Sequence, residues 1–229
     1  MQQLPPGQRR IRGFPRFGVP GPAPAVPSDP VIEIGGVLAE PVTLPVARLA
    51  QLPRRELTAD FHCVSGWSAT DLHWEGVAFA DLFRAVIEPA LPAGTAITHV
   101  VFAGLDGYRS VATIEDALGP DVLLAEHLDG RPLDGDHGAP VRVVSPSQYG
   151  FVSTKHLCHI GVHTSEPPVR YHPQWWVHLG LTLVKPHPRA RVWQEERHRY
   201  LPARAVRPVY QRLIRLLRRR SARAGRRNG

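Results

Sequence analysis

Apolar residues in this chain come in short runs, mostly of period two, cut by Gly, Pro and Asp before any long helix can form. Val31-Ile32-Glu33-Ile34, closed by Gly35-Gly36, predicts a strand, and 37–42 predicts a second. Pro45 to Leu52 has helical spacing and is stopped by Pro53. Leu57 to Cys63 alternates apolar and polar positions, so it predicts a strand that carries Cys63 to its end, with a Ser-Gly-Trp turn beyond. Ala78 to Ile87 predicts an amphipathic helix; 99–102 and 108–112 predict strands around a Leu105-Asp106-Gly107 turn; Thr113 to Asp116 opens a short helix ended by Gly119-Pro120. Val122 to His127 predicts a strand running into an Asp129-Gly130 hairpin. Val141 to Val144 reads as a buried strand, 145–154 as a turn-rich loop and His156 to Val162 as a further strand. Strands outnumber helices without regular alternation, so the expected class is α+β, β-rich with mixed sheets and short helices.

Composition refines this picture at the two ends. Residues 1–30 are rich in Pro, Gly and Arg and predict an extended arm rather than a ladder strand; 31–208 predicts one domain whose last part, from Ser165, wraps its surface; 209–229 starts as a helix and passes into Arg-rich coil. The net charge of +8 is uneven: 189–229 holds 14 Arg against Glu195 and Glu196, which leaves the body of the chain acidic. That distribution argues against a basic nucleic-acid-binding domain and makes nucleic acid an unexpected partner. No run of 18 apolar residues is present to form a spanning helix. Arg9-Arg10 has no apolar run behind it and fails as a secretory or twin-arginine signal, so a cytoplasmic location with Cys63 and Cys158 as free thiols is expected.

Two stretches carry candidate chemistry. Cys63, between His62 and Val64-Ser65-Gly66-Trp67, has three readings: a small core residue, a nucleophile assisted by His62, or a soft ligand for a thiophilic metal. Neighbouring strand residues point to opposite faces, which makes the His62 pairing awkward. Two Cys cannot assemble a Cys-rich zinc or iron-sulfur site, so a metal on one thiolate would take its other ligands from a cofactor. The second stretch, Asp136-His137-Gly138-Ala139-Pro140-Val141-Arg142 with Ser153-Thr154-Lys155 downstream, gathers donors suited to an anion such as phosphate. His159 and His163 on one strand face the same side, but their backbone spacing of roughly 13 Å argues against a shared metal.

In order along the chain, TxDFHCxxGWSxxDxxWxG (58–76), HVVFAGLDGYRS (99–110) and DVLLAEHLDGRPLDGDHGAPVRVVSPSQYGFVSTK (121–155) resemble the molybdopterin-binding domain of the sulfite oxidase family, over roughly residues 12–163. That family includes the catalytic subunit of periplasmic methionine sulfoxide reductase, which is similar in size. The resemblance implies a molybdenum-molybdopterin cofactor with Cys63 as the metal ligand. It also implies cofactor contacts from His62, His137, Arg142, Ser153, Thr154 and Lys155, from Arg12, Phe14 and Arg16 on the arm, and from Asp106. Arg109 and Tyr149 are then candidates for substrate contact at the catalytic centre.

The implied activity is a two-electron oxygen-atom transfer on a small oxo substrate, sulfite or sulfoxide-like, with an external electron donor or acceptor. The chain has no haem-binding or immunoglobulin-like dimerisation domain of the longer sulfite oxidases, so a monomer is expected. Two other readings compete: a non-catalytic module of the same fold whose Arg-rich tail holds nucleic acid or an anionic membrane surface, and a thiol enzyme using Cys63.

Overall fold

The computed structural model describes residues 3–15, 22–168, 186–209 and 212. Its strands are β1 (Arg9–Arg10), β2 (Val31–Gly36), β3 (Val42–Pro45), β4 (Arg54–Cys63), β5 (Trp67–Ala78), β6 (His99–Gly104), β7 (Arg109–Thr113), β8 (Leu123–Leu128), β9 (Arg131–Pro132), β10 (Arg142–Val144) and β11 (Leu157–His163). One sheet has β5 at its centre, with β4 along one edge and the short parallel β1 and antiparallel β8 along the other; β10 and β9 extend it beyond β8. The second runs β3-β2-β11-β6-β7, with β2 and β11 parallel. Both sheets are mixed and the helices are short, as the sequence predicts.

The largest departure is β5, 12 residues long where the sequence predicts only a turn after Cys63. The pairing explains why the pattern hid it: Ala69 lies opposite Phe61 and Leu72 opposite Ala59, so β5 places two residues, Thr70 and Asp71, against Asp60 alone. That one-residue bulge re-phases the side chains, and Trp67 and Ala69 before it share a buried set with Leu72 and Trp74 after it. Asp71 takes a positive φ of 60° and its N–H donates to the Asp60 carboxylate at 3.0 Å. Two smaller departures follow the same logic of tertiary pairing. The second strand is displaced from 37–42 to Val42–Pro45, where it pairs with β2, and the arm, expected to stay outside any ladder, contributes β1 to the edge of β5.

The segment expected to form one amphipathic helix is an α turn, α1 (Phe79–Leu82), that widens into a π turn at Phe83–Ile87 and ends in a 3-10 turn at Glu88–Ala90. A second helical turn, α2 (Ile114–Ala117), is capped by the Thr113 hydroxyl, which accepts from the Asp116 N–H at 3.3 Å. The first sheet is buried on both faces. Val77, Leu124 and Val143 belong to the main core with Ile32, Phe102 and Ile160, while Leu123, Ala125 and Val144 point the other way into a second cluster with Cys63, Trp67 and Trp74. Ile11 and Phe14 of the arm pack on that second cluster. Among the described residues no helix is long and apolar enough to cross a membrane. The basic coil expected beyond 212 and the Trp175-Trp176 stretch lie outside the described residues.

Candidate functional site

Cys63 ends β4 and leads into the turn Val64-Ser65-Gly66, closed by the Gly66 N–H donating to the Cys63 carbonyl at 2.9 Å. Two further ties fix this turn: Gln8 Nε2 donates to the Cys63 carbonyl at 3.2 Å and the Arg9 N–H to the Gly66 carbonyl at 3.1 Å. The sulfur lies 3.0 Å from Ser65 Oγ. Burial pushes the Cys63 thiol up, opposed by its hydrogen bonds with Ser65 and by the positive charge of Arg197.

Arg142, the first residue of β10, is fully buried. Its Nε, Nη1 and Nη2 donate to the carbonyls of Val143, His137 and Ser153 at 3.3, 2.9 and 3.1 Å. The guanidinium carbon lies 5.2–5.7 Å from the ring centres of Phe14, Phe61 and Trp74. Burial alone pushes its pKa down to about 9, which leaves it a cation at neutral pH. Among the described residues it has no carboxylate partner, and a buried cation without a counter-charge is a place where an anion is favoured. Gly138, at φ 109°, lets the chain pass this point: a Cβ there would stand 3.0 Å from Lys155 Cβ and 3.2 Å from Arg142 Cβ.

These elements enclose a cavity of about 150 Å³ lined by Phe61, Cys63, Val64, Asp106, Tyr108, Arg142, Gly150, Phe151, Ser153 and Lys155. Five of the expected residues, Cys63, Asp106, Arg142, Ser153 and Lys155, therefore meet around one space. Phe61, Tyr108 and Phe151 were missed; Tyr108, whose hydroxyl donates to the Phe151 carbonyl at 2.7 Å, is the one its place beside Asp106 pointed to. The Cys63 sulfur, the guanidinium without a carboxylate partner among the described residues, the Lys155 ammonium and the aromatic walls form a donor set that fits a thiophilic metal carried by a flat, phosphorylated heterocycle.

Other expected residues lie elsewhere. His62 points away from the cavity, as alternation along a strand requires: its Nδ1 is 2.7 Å from Ser68 Oγ, which donates to Gln8 Oε1. Thr154 is buried against Ser110, hydroxyl to hydroxyl at 2.8 Å. His137 sits behind the wall, with Nδ1 2.8 Å from Asp134 and Nε2 2.9 Å from the Phe14 carbonyl, and Phe14 stacks on its ring. These two brace Arg142 without lining the space. Arg12 is exposed on the arm, and Arg16 lies outside the described residues.

The substrate-contact candidates are corrected. Arg109 lines a different cavity, of about 500 Å³, with Cys158, His159, Glu33 and Asp29. It is the first residue of β7, so its side chain leaves the opposite side of the 104–108 turn from Asp106 and Tyr108. Tyr149 is fully buried under Arg197, whose guanidinium carbon lies 4.8 Å from its ring centre. Desolvation drives its hydroxyl up to about 12, with the Arg197 charge opposing. His159 and His163 do share a face, and both Nε2 atoms lean over Gly161, 3.4 and 3.0 Å from where a Cβ would stand; backbone spacing overstated their separation. Among the described residues no group of three or more His, Cys, Asp or Glu is placed to hold a metal ion.

Comparison with known proteins gives three findings. The family model for the oxidoreductase molybdopterin binding domain matches residues 20–171. The uncharacterized oxidoreductase YuiH of Bacillus subtilis (strain 168) is 31% identical over 167 residues, spanning 72% of this chain and 76% of its own; the protein-methionine-sulfoxide reductase catalytic subunit MsrP of Gluconobacter oxydans (strain 621H) is 27% identical over 220 residues, spanning 84% and 68%. The crystal structure of the sulfane dehydrogenase SoxCD from Paracoccus pantotrophus shares the fold, with a TM-score of 0.53 at 18% identity over 62% of this chain and 40% of that one.

Proposed function

Because the chain belongs to the oxidoreductases with a molybdopterin-binding domain, an enzyme family whose cofactor is molybdopterin-bound molybdenum, we propose that Cys63 ligates the metal and that the reaction is oxygen-atom transfer to or from a small oxo compound. One observation carries this reading: Cys63, Arg142 and Lys155, 92 positions apart along the chain at the extremes, line one cavity, and among the described residues no carboxylate is in ion-pair contact with the guanidinium there. When bound, the cofactor supplies the two-electron redox chemistry.

The protein's residues do the rest. Cys63 offers a soft anionic ligand from a turn held by three hydrogen bonds, two between backbone groups and one from the Gln8 side chain, so its direction is set before the metal arrives. Arg142 and Lys155 hold the anionic part of the cofactor. Phe61 and Phe151 give the cavity apolar walls that exclude water, and Tyr108 and Asp106 border it as well. Balance requires two electrons, two protons and one water per oxygen atom moved: oxidation of the substrate takes oxygen from water and sends two electrons to an external acceptor, and reduction runs the reverse with an external donor. Sulfite and sulfoxides, small polar oxo compounds of the same class, are the substrates to test.

Protein purified from a host that makes the cofactor should carry about one molybdenum per chain, and Cys63→Ser should lose it while keeping its fold. Metal-free wild-type protein from such a host ends the proposal.

A further inference from the structure

We propose that Arg197 is a positioning residue that fixes the turn after Cys63 and supplies positive charge beside its sulfur; this rests on the reading of Cys63 as the metal ligand. Arg197 lies beyond the part of the chain that the family model matches, in a segment that the sequence alone offers only as part of a run of arginines. It is 1% exposed. Nη1 donates to the carbonyl of Val64, the residue after Cys63, and Nη2 donates to the carbonyl of Pro6 at 3.3 Å. Its plane covers the ring of Tyr149, one residue before the Gly150 that lines the cavity. One buried guanidinium thus ties together the arm, the Cys63 turn and the 145–155 loop.

A stability role accounts poorly for this arrangement. Burying a guanidinium costs free energy unless it is paired, yet the nearest carboxylate, Glu195, stands 3.8 Å away and is held more closely by Arg207. Among the described residues Arg197 Nε has no hydrogen-bond partner. The segment itself is already anchored without it: Tyr149 N–H donates to the Ala190 carbonyl at 2.8 Å, Val192 N–H to the Ser147 carbonyl at 3.0 Å, and Arg191 Nε to Asp116 at 2.8 Å. What Arg197 adds is a fork aimed at the carbonyl next to the ligand. A fixed cation there stabilises negative charge on the sulfur and holds the turn that directs it.

The test compares wild type, Arg197→Lys and Arg197→Met, each loaded with cofactor, by molybdenum content, thermal unfolding, the Mo(V) electron paramagnetic resonance spectrum and the metal's midpoint potential. Arg197→Met should keep its metal, shift the potential to more negative values and change the g-values; Arg197→Lys, which keeps the charge but reaches one carbonyl, should show the smaller shift of both. Folded, metal-loaded Arg197→Met with spectrum and potential superimposable on wild type overturns the proposal. Should Arg197→Met not fold, Arg197→Lys decides alone, and unchanged g-values overturn it. A Cys63→Ser protein that keeps its molybdenum with the wild-type spectrum sinks the premise instead, whatever the Arg197 variants do.

Discussion

Two cavities lie on either side of the 104–109 hairpin, and they differ in what their walls can do. The narrow one, about 150 Å³, holds a buried thiol, Lys155, Asp106 and a buried guanidinium that has no carboxylate in ion-pair contact among the described residues. The wide one, about 500 Å³, also has a thiol and a guanidinium, Cys158 and Arg109, but Glu33 and Asp29 share its wall and Arg109 is exposed. Both thiols are pushed up by desolvation. For Cys158 the Asp106 charge raises it further, with Arg109 opposing, whereas for Cys63 the further influences all favour the thiolate. In the proposed reading it is the buried guanidinium without an ion-pair partner, and not cavity size, that marks the cofactor site.

The sharpest way to break this contrast is to exchange sulfur for oxygen in each. Cys63→Ser should lower turnover with sulfite or a sulfoxide, driven by a redox dye, by about 100-fold or more, since even residues behind a metal ligand cost 10–100-fold. Cys158→Ser should stay within about twofold. Equal losses at both positions would erase the distinction between the cavities.

A smaller effect should separate the two arginines. Arg142→Met leaves the His137 and Ser153 carbonyls without their donor, so urea unfolding should show a loss of about 1–3 kcal/mol together with failure to retain cofactor. Arg109→Met should change stability by less than about 0.5 kcal/mol. The ranking inverts if Arg109 carries the anion.

The smallest effect is in the wall behind Arg142. Burial alone would raise the Asp134 carboxyl, but hydrogen bonds from the His137 N–H and ring outweigh it and hold it below the ordinary 3.8. A carboxylate lowered by folding contributes stability above that ordinary value and loses it as pH falls through 3.8 and below. Asp134→Asn should therefore lower stability slightly at neutral pH and flatten the acid limb of the profile, so that variant and wild type converge as pH falls, read by unfolding from pH 7 down to about 3.

How much of this could be read in advance divides along local and non-local lines. The hairpin at Asp129-Gly130, the arrival of Cys63 at a strand end and the meeting of Arg142 and Lys155 at one cavity all rest on residues close together in sequence or on motifs of fixed spacing. Strand β5 was hidden because its bulge breaks the period-two pattern that betrays a strand, and the hidden break is visible only in the partner, at Asp60. Arg109 was misplaced for a related reason: at a hairpin, one step along the chain moves a side chain from one cavity to the other. Arg197 left no local signal, because among so many arginines nothing in the sequence marks the one that the fold buries.

That Gln8 and Arg197 both grip the turn after Cys63 has a consequence for biosynthesis. The turn draws on residues 189 positions apart along the chain, so it takes its final form only after the segment around residue 197 has been made and has docked. Until residue 197 docks, the turn that presents Cys63 lacks one of its fixed donors.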